Sequence, residues 1–114
     1  MAVAKKTGLW TTTLDVKKAV IDADFVYTDT WIDMEFFTDP KFAAEKEKHL
    51  KQMMPYQINA ELLKGSGAYV MHDMPIHRGY EISVEMIENP KSVIYEQAEN
   101  RLYAAKAIML KLAK

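Results

Sequence analysis

The chain has 114 residues, 49% hydrophobic and 27% charged, which suits one globular domain with a real core and excludes two. Its net charge of −1, with both signs mixed, disfavours nucleic acid and anionic membranes as partners, and the absence of cysteine excludes disulfides and thiolate chemistry. No run approaches the ~18 apolar residues of a membrane helix, and no signal peptide is evident, so we expect a cytoplasmic protein with a single domain at 1–114, complete or truncated.

The chain begins with a helical pattern followed by an extended one. Apolar residues at helical spacing predict a short helix from Asp15 to about Asp24, for which Thr13 is a candidate cap. Residues 25–28 then have the composition of a buried strand.

A longer helix is predicted in the middle of the chain. Asp39 followed by Pro40 is a strong helix start, and the pattern stays helical to about Met54, with a charged face in solvent. Asn59 can cap a further short turn, and the apolar run 68–71 is predicted to be a buried strand.

The last third of the chain contains two more predicted helices and a strand. Ser83 is a candidate cap for a short helix through Ile87, and residues 92–95 are predicted to form a third strand. A long amphipathic helix is expected from about Ala98 to the end.

Strands that alternate with helices predict an α/β fold, here a three-layer, Rossmann-like parallel sheet flanked by helices. Three strands leave the sheet edges unpaired. We therefore expect the chain to dimerise, to shield an edge with residues 11–13, or to form part of something larger.

Polar residues follow two of the predicted strands. The strand at 68–71 is followed by His72 and Asp73, and the strand at 25–28 by Asp29. Ligands of open parallel sheets bind beyond the carboxyl ends of the strands, so these residues form a candidate site.

Four segments carry more specific information: 24–34 (DFVYTDTWIDM), 55–63 (PYQINAELL), 71–79 (MHDMPIHRG) and 92–102 (SVIYEQAENRL). Their sequence, order and spacing resemble the C-terminal part of the ornithine carbamoyltransferase family. The resemblance extends from about Thr13 to the end of the chain.

The resemblance implies a partial ornithine-binding domain. In the family's reaction an uncharged side-chain amine attacks the carbonyl carbon of carbamoyl phosphate, which expels phosphate and gives citrulline. The implied partners are these two small molecules, together with further copies of the chain or a partner chain that supplies the carbamoyl-phosphate half. No cofactor and no metal ion are implied.

The resemblance also assigns site residues by position. The family's Asp-x-x-x-Ser-Met segment, which holds the amino-acid end of ornithine, corresponds to Asp29, Asp33 and Met34. Its His-Cys-Leu-Pro loop, which touches both substrates, corresponds to His72, Asp73, Met74 and Pro75. The arginine of its Glu-Asn-Arg segment, which contacts carbamoyl phosphate, corresponds to Arg101. Catalytic roles are expected for Arg101, His72 and Asp73, and substrate binding for the others.

Two departures from the family pattern affect the choice of amine. Asp33 replaces a serine, and Asp73 replaces the cysteine beside the reacting amine. Together with Asp29 they predict an acidic pocket for an amine more cationic than ornithine, since close carboxylates repel unless a cation separates them. The alternative is that one of them, Asp33 above all, caps a helix or faces water.

Other interpretations stay open at this stage. The chain also lacks the family's phosphate-cradling Ser-Thr-Arg-Thr and His-Pro-x-Gln motifs, so a non-catalytic amine-binding or assembly module is a second hypothesis. For Arg101 the alternative is an ion pair with Glu96 or Glu99, and His77 and Arg78 are interpreted as surface turn residues. A nucleotide-binding Rossmann domain is disfavoured because the chain has no Gly-x-Gly-x-x-Gly turn.

Overall fold

The computed structural model describes residues 2–33 and 37–113; Met34 therefore lies outside the described residues. The helices are α1 (Ala2–Lys6), α2 (Val16–Val20), α3 (Ala43–Met53), α4 (Val84–Ile87) and α5 (Ile94–Leu112). The strands are β1 (Phe25–Thr28) and β2 (Tyr69–His72). Short 3₁₀ turns flank α3 at Pro40–Phe42 and Met54–Tyr56.

The two strands pair in parallel. Their register runs from Phe25 opposite Tyr69 to Thr28 opposite His72, so both strands end at the same edge of the sheet. The predicted α/β fold, with a parallel sheet flanked by helices, is confirmed.

The predicted third strand is wrong except for one bridge. At 92–95, only Ser92 bridges to Val70 of β2, and α5 begins at Ile94 instead of near Ala98. Ile94 is completely buried, and its burial in the first turn of a helix replaces the expected strand pairing.

The core lies on the inner side of β2. It brings together residues from β2, α4, the start of α5 and the bridged segment around Ile58, namely Ile58, Val70, Ile82, Met86, Ile87 and Ile94. Because Ile82 belongs to this cluster, the segment between β2 and α4 packs against β2.

Aspartates begin two of the helical segments. Asp15 caps α2 by accepting the backbone N–H of Lys18 at 3.1 Å, whereas Thr13, the predicted cap, accepts the N–H of Asp15. Asp39 caps the 3₁₀ turn before α3 by accepting the N–H of Lys41, as predicted from the Asp-Pro pair.

The outer face of the sheet is aromatic and uncovered. Phe25 is 60% exposed, Tyr27 54% and Tyr69 47%, and residues 11–13 do not pair with either strand. Among the described residues, no helix is long and apolar enough to cross a membrane.

Candidate functional site

The ends of β1 and β2 bring two of the predicted site residues to one edge. The strand pairing finishes with Thr28 opposite His72, so Asp29 and Asp73 are the next residues on neighbouring parallel strands. The two strand ends that the sequence predicted to be neighbours are neighbours in the structure.

The loop after β2 is tied down from both sides. From the β1 side, Oγ1 of Thr30 donates to the carbonyl oxygen of Pro75 at 2.9 Å. From α5, Nη1 of Arg101 donates to the carbonyl oxygen of Asp73 at 2.9 Å. Arg101 therefore lies against the loop that the sequence predicted it to approach.

His72 organises the same loop from inside. Its backbone N–H donates to Oε1 of Gln97 on α5 at 3.0 Å, and its ring Nδ1 accepts the backbone N–H of Met74 at 2.7 Å. Met74 has a φ of 57°, a left-handed conformation that non-glycine residues rarely adopt, and its bond to Pro75 is cis. The imidazole thus holds the backbone amide of Met74, the residue with this left-handed conformation.

Below His72 lies a carboxylate that the sequence analysis did not select. Both His72 and Glu81 are 0% exposed, and Nε2 of His72 lies 3.4 Å from Oε1 of Glu81. The same oxygen accepts the backbone N–H of His77 at 2.7 Å. Burial raises the pKa of Glu81, but the contacts with His72 and with the His77 N–H outweigh it, so the pKa lies below its usual value.

The two aspartates at the strand ends have different surroundings. Asp29 is exposed, and its Oδ1 accepts the backbone N–H of Thr30 at 2.6 Å, a local role of the kind considered as an alternative. Asp73 is partly exposed, with Oδ1 buried and 3.5 Å from Nδ1 of His72. Both carboxylates remain at the edge where a ligand of the parallel strands would lie.

Asp33 lies in a different place. It contributes to a cavity of about 260 Å³ between the chain after β1 and α3, lined by Trp31, Ile32, Asp33, Phe42, Glu45, Lys46 and His49. Neither Asp29 nor Asp73 lines this cavity. The structure therefore brings Asp29 and Asp73 to one edge and places Asp33 in a separate cavity, next to His49, to which the sequence analysis gave no role.

Arg101 also borders a cavity of about 380 Å³ beside β2 and α5, lined by Met71, Val93, Glu96, Gln97, Asn100, Arg101 and Ala104. Within the described part of the chain, Arg101 forms no ion pair with Glu96 or Glu99. Its charge is directed at the loop, and the ion-pair alternative does not apply here.

His77 is packed rather than free on the surface. Its ring stacks on Phe37 with centroids 3.8 Å apart, and Tyr80 meets Phe37 edge-on. Nζ of Lys46 on α3 also lies over the Phe37 ring, 4.7 Å from its centroid. Arg78 is exposed, in agreement with the surface interpretation.

These features define a class of protein: an α/β domain in which acidic residues, a histidine loop and a helix-borne arginine lie together at the carboxyl ends of parallel strands, the place where ligands of such sheets bind. No group of three or more His, Asp or Glu side chains is close enough to hold a metal ion in the parts of the chain that are described.

The family model for the aspartate/ornithine carbamoyltransferase Asp/Orn-binding domain matches residues 1–112. The chain belongs to this family.

Individual relatives agree with this assignment. The chain is 50% identical over 100 residues to ornithine carbamoyltransferase of Archaeoglobus fulgidus, covering 86% of this chain and 31% of the relative. It is 45% identical over 109 residues to the Methanosarcina acetivorans enzyme, covering 94% and 34%. The chain thus spans about a third of the length of these curated relatives.

Solved structures give the same result. Ornithine carbamoyltransferase from Pyrococcus furiosus superposes with a TM-score of 0.71 at 42% identity, over 83% of this chain and 29% of that one. The anabolic enzyme from Campylobacter jejuni superposes with a TM-score of 0.78 at 33% identity, over 99% and 36%.

Proposed function

We propose that this chain, as a single domain at 1–114, is the amino-substrate-binding part of a carbamoyltransferase. The complete enzyme transfers the carbamoyl group of carbamoyl phosphate to the side-chain amine of ornithine or a related amine, giving citrulline or another ureido product. The observation that carries the proposal is the common strand edge. Asp29 follows β1 there, Asp73 follows β2, and Arg101 donates to the carbonyl oxygen of Asp73. We infer a cytoplasmic location on compositional grounds alone.

In this proposal the amine binds along the β1 end of the site. The Asp29 carboxylate is exposed at this edge, where it can reach the amine. It holds the amine and takes the proton that the nitrogen loses as the C–N bond forms. By the resemblance, Asp33 and Met34 hold the far end of the substrate, which in this proposal extends from the strand edge into the separate cavity that Asp33 lines. Asp73, which follows the neighbouring strand, faces the reacting nitrogen.

The carbamoyl group binds on the β2 side. His72, Met74 and Pro75 orient it, while Arg101 balances the negative charge that develops on its oxygen. The neutral amine attacks the carbonyl carbon, a C–N bond forms, the bond to phosphate breaks, and phosphate leaves with the electron pair. Catalysis consists of positioning and electrostatic stabilisation, and no covalent intermediate is required.

The separate cavity around Asp33 bears on the choice of amine. Asp33 and Glu45 border it together with the aromatic rings of Trp31 and Phe42, surroundings suited to a positive charge. Lys46, the cation on its wall, donates to the carbonyl oxygen of Phe37 at 2.8 Å. An acceptor with a second ammonium group and no α-carboxylate fits this set of charges better than ornithine does.

Further polypeptide is needed to complete the enzyme. The Cα radius of gyration is 16.8 Å, whereas a compact chain of this length has about 13 Å. The aromatic outer face of the sheet and much of α5 are exposed. We propose that the carbamoyl-phosphate half, from the same polypeptide or a partner chain, covers these surfaces, and that the complete enzyme is oligomeric.

A chimaera tests the proposal. This chain replaces the matching third of the Archaeoglobus fulgidus enzyme, and the purified chimaera receives carbamoyl phosphate with ornithine or with diamines of different length. Ureido product is measured by mass spectrometry. We expect product from the chimaera, none from the 114-residue chain alone, and a higher kcat/KM for a diamine than for ornithine.

The controls separate the possible failures. If ornithine exceeds every diamine, the cationic-amine assignment is wrong while carbamoyl transfer stands. If the folded chimaera gives no product with any amine, but amines raise the thermal stability of the isolated chain, the chain is a non-catalytic amine-binding module.

A further inference from the structure

We infer that Glu81 is a positioning residue of this site: it holds the His72 imidazole with its proton on Nε2 and, through His72, fixes the loop 73–75. The inference rests on the proposed function only in taking this loop as the substrate-facing one. Glu81 itself is buried and is not placed against substrate.

The donor arrangement around Glu81 supports this role. The backbone N–H of His77 donates to Oε1 at 2.7 Å, and Nε2 of His72 approaches the same oxygen at 3.4 Å, a long contact. Among the described residues, neither Nε2 of His72 nor the second oxygen of Glu81, Oε2, has a hydrogen-bond partner, so each is the nearest available partner of the other side chain. One carboxylate oxygen therefore faces the end of β2 and the following loop at once. Because both side chains are completely buried, water does not compete for this oxygen.

The other ring nitrogen settles where the proton lies. Nδ1 of His72 accepts the backbone N–H of Met74 at 2.7 Å, a distance with no room for a second hydrogen between the two nitrogens. In the neutral ring the proton is consequently on Nε2, facing Glu81. A carboxylate on one imidazole nitrogen orients the ring and makes the other nitrogen a better acceptor.

The backbone around Glu81 is itself held firmly. Its carbonyl oxygen accepts the N–H of Ile58 at 3.0 Å, next to the bridge between Ile58 and Ile82. The side-chain amide of Gln57 donates to the carbonyl oxygens of Gly79 and Tyr80, both at 2.9 Å. The carboxylate therefore projects from a fixed segment, as a positioning group requires.

The chain of contacts reaches the reacting edge in two steps. Glu81 orients His72, and His72 holds the N–H of Met74, whose left-handed backbone sets the direction of the loop. The residue before Met74 presents the carbonyl oxygen to which Arg101 donates. Loss of Glu81 should loosen the loop without removing any group that contacts substrate.

The test uses nitrogen NMR of the histidine rings in the full 114-residue chain. At neutral pH we expect His72 to show a protonated Nε2 and an unprotonated Nδ1. Glu81→Gln keeps an acceptor oxygen and should keep this tautomer. Glu81→Leu removes the carboxylate that orients the ring, so the imidazole should turn away from the Met74 N–H, populate both tautomers, and leave the Met74 amide to exchange with solvent at least tenfold faster. Glu85→Leu, an exposed position on α4, is the matched control and should match the wild type.

Two results overturn the inference: a wild-type His72 ring protonated on Nδ1, or a folded Glu81→Leu chain with wild-type ring signals and wild-type Met74 exchange. If Glu81→Leu does not fold, Glu81→Gln decides, because its uncharged oxygen attracts the Nε2 proton less strongly and should move the Nε2–H resonance upfield. An unchanged resonance counts against the inference.

The completed chimaera gives an independent readout. A loop displaced by about 1 Å costs about 10²-fold in rate, so Glu81→Leu should lower kcat by that order, while Glu81→Gln loses less. If the wild-type chimaera is inactive but the NMR result holds, the proposed function fails and the positioning role survives. If the chimaera is active and the ring signals ignore Glu81, the reverse is true.

Discussion

Glu81 is a buried anion whose charge is stabilised by directed donors. Transfer into the interior favours the neutral carboxylic acid, but His72 and the His77 N–H favour the carboxylate, and the pKa of Glu81 falls below 4.5, its usual value. A lowered pKa in the folded state means that the ionised form adds stability. This contribution is present above the unfolded-state pKa and is lost as the pH falls through the lower, folded-state value.

The first prediction concerns this pH dependence. Between pH 7 and pH values below 4.5, the free energy of unfolding of the wild type should fall more steeply than that of Glu81→Gln, which has no carboxylate to protonate. Urea unfolding at several pH values measures both curves. Glu45→Gln, on the exposed surface of α3, removes one carboxylate without touching His72 and is the control. Parallel curves for wild type and Glu81→Gln would contradict the assignment.

The second prediction concerns Arg101. Lysine keeps the positive charge but lacks the planar fork that donates to the Asp73 carbonyl oxygen and has donors left over for an oxyanion. In the chimaera, Arg101→Lys should lower kcat by about 10²-fold to 10³-fold, with little change in KM for the amine. Lys106→Arg, one to two turns further along α5 and exposed, is the control. A larger change in KM than in kcat would place Arg101 in amine binding instead.

At the level of single residues, the sequence could predict the positions of those site residues that directly follow a strand. Asp29 and Asp73 could be placed together because parallel strands end at one edge, and the structure puts them there. Glu81 could not be found in this way. It lies between Tyr80 and Ile82 in a segment without clear periodicity, and its burial depends on long-range contacts such as the bridge from Ile82 to Ile58, which local sequence does not reveal.

At the level of elements, short segments were the ones that changed type. Residues 92–95 have the β-branched and aromatic composition of a strand, yet one bridge at Ser92 is followed directly by α5. The backbone N–H of Gln97 donates to the carbonyl oxygen of Val93 at 2.9 Å, so the first helical turn uses residues that a strand would have needed. Over four residues, local composition does not distinguish a strand from the first turn of a helix, because Ile94 can be buried in either structure.

The third prediction tests the core that holds these elements together. Ile82 is completely buried between the Ile58 segment and α4, so Ile82→Ala removes packed methylene groups and leaves a cavity. We expect the free energy of unfolding to fall by about 2–5 kcal/mol. Ile108→Ala, the same change on the exposed surface of α5, should cost less than about 0.5 kcal/mol in the isolated chain. Chemical denaturation of both variants provides the comparison, and equal losses would mean that the core lies elsewhere.

For the molecule as a whole, one face of the sheet is covered by the core and the other face is open to solvent. Val70 and His72 face the core, whereas Phe25 and Tyr69 form an aromatic pair on the outside, with ring centroids 5.9 Å apart. Parallel sheets normally have both faces covered. The sequence indicated unpaired edges from the small number of strands, but which face lacks cover follows only from the observed register.

The fourth prediction uses this open face. Tyr27→Lys combined with Tyr69→Lys should leave the stability of the isolated chain within about 1 kcal/mol, because both side chains are about half exposed there. In the chimaera the same pair should lower the free energy of unfolding by several kcal/mol, since each buried aromatic side chain contributes about 1.5–3 kcal/mol and a buried lysine adds a further penalty. Ala44→Lys with Gln52→Lys adds the same charge on exposed positions of α3 and should be neutral in both proteins. Urea unfolding of the six proteins decides the matter: if the tyrosine pair costs the same in the isolated chain and in the chimaera, the rest of the enzyme does not cover this face, and its place must be sought along α5.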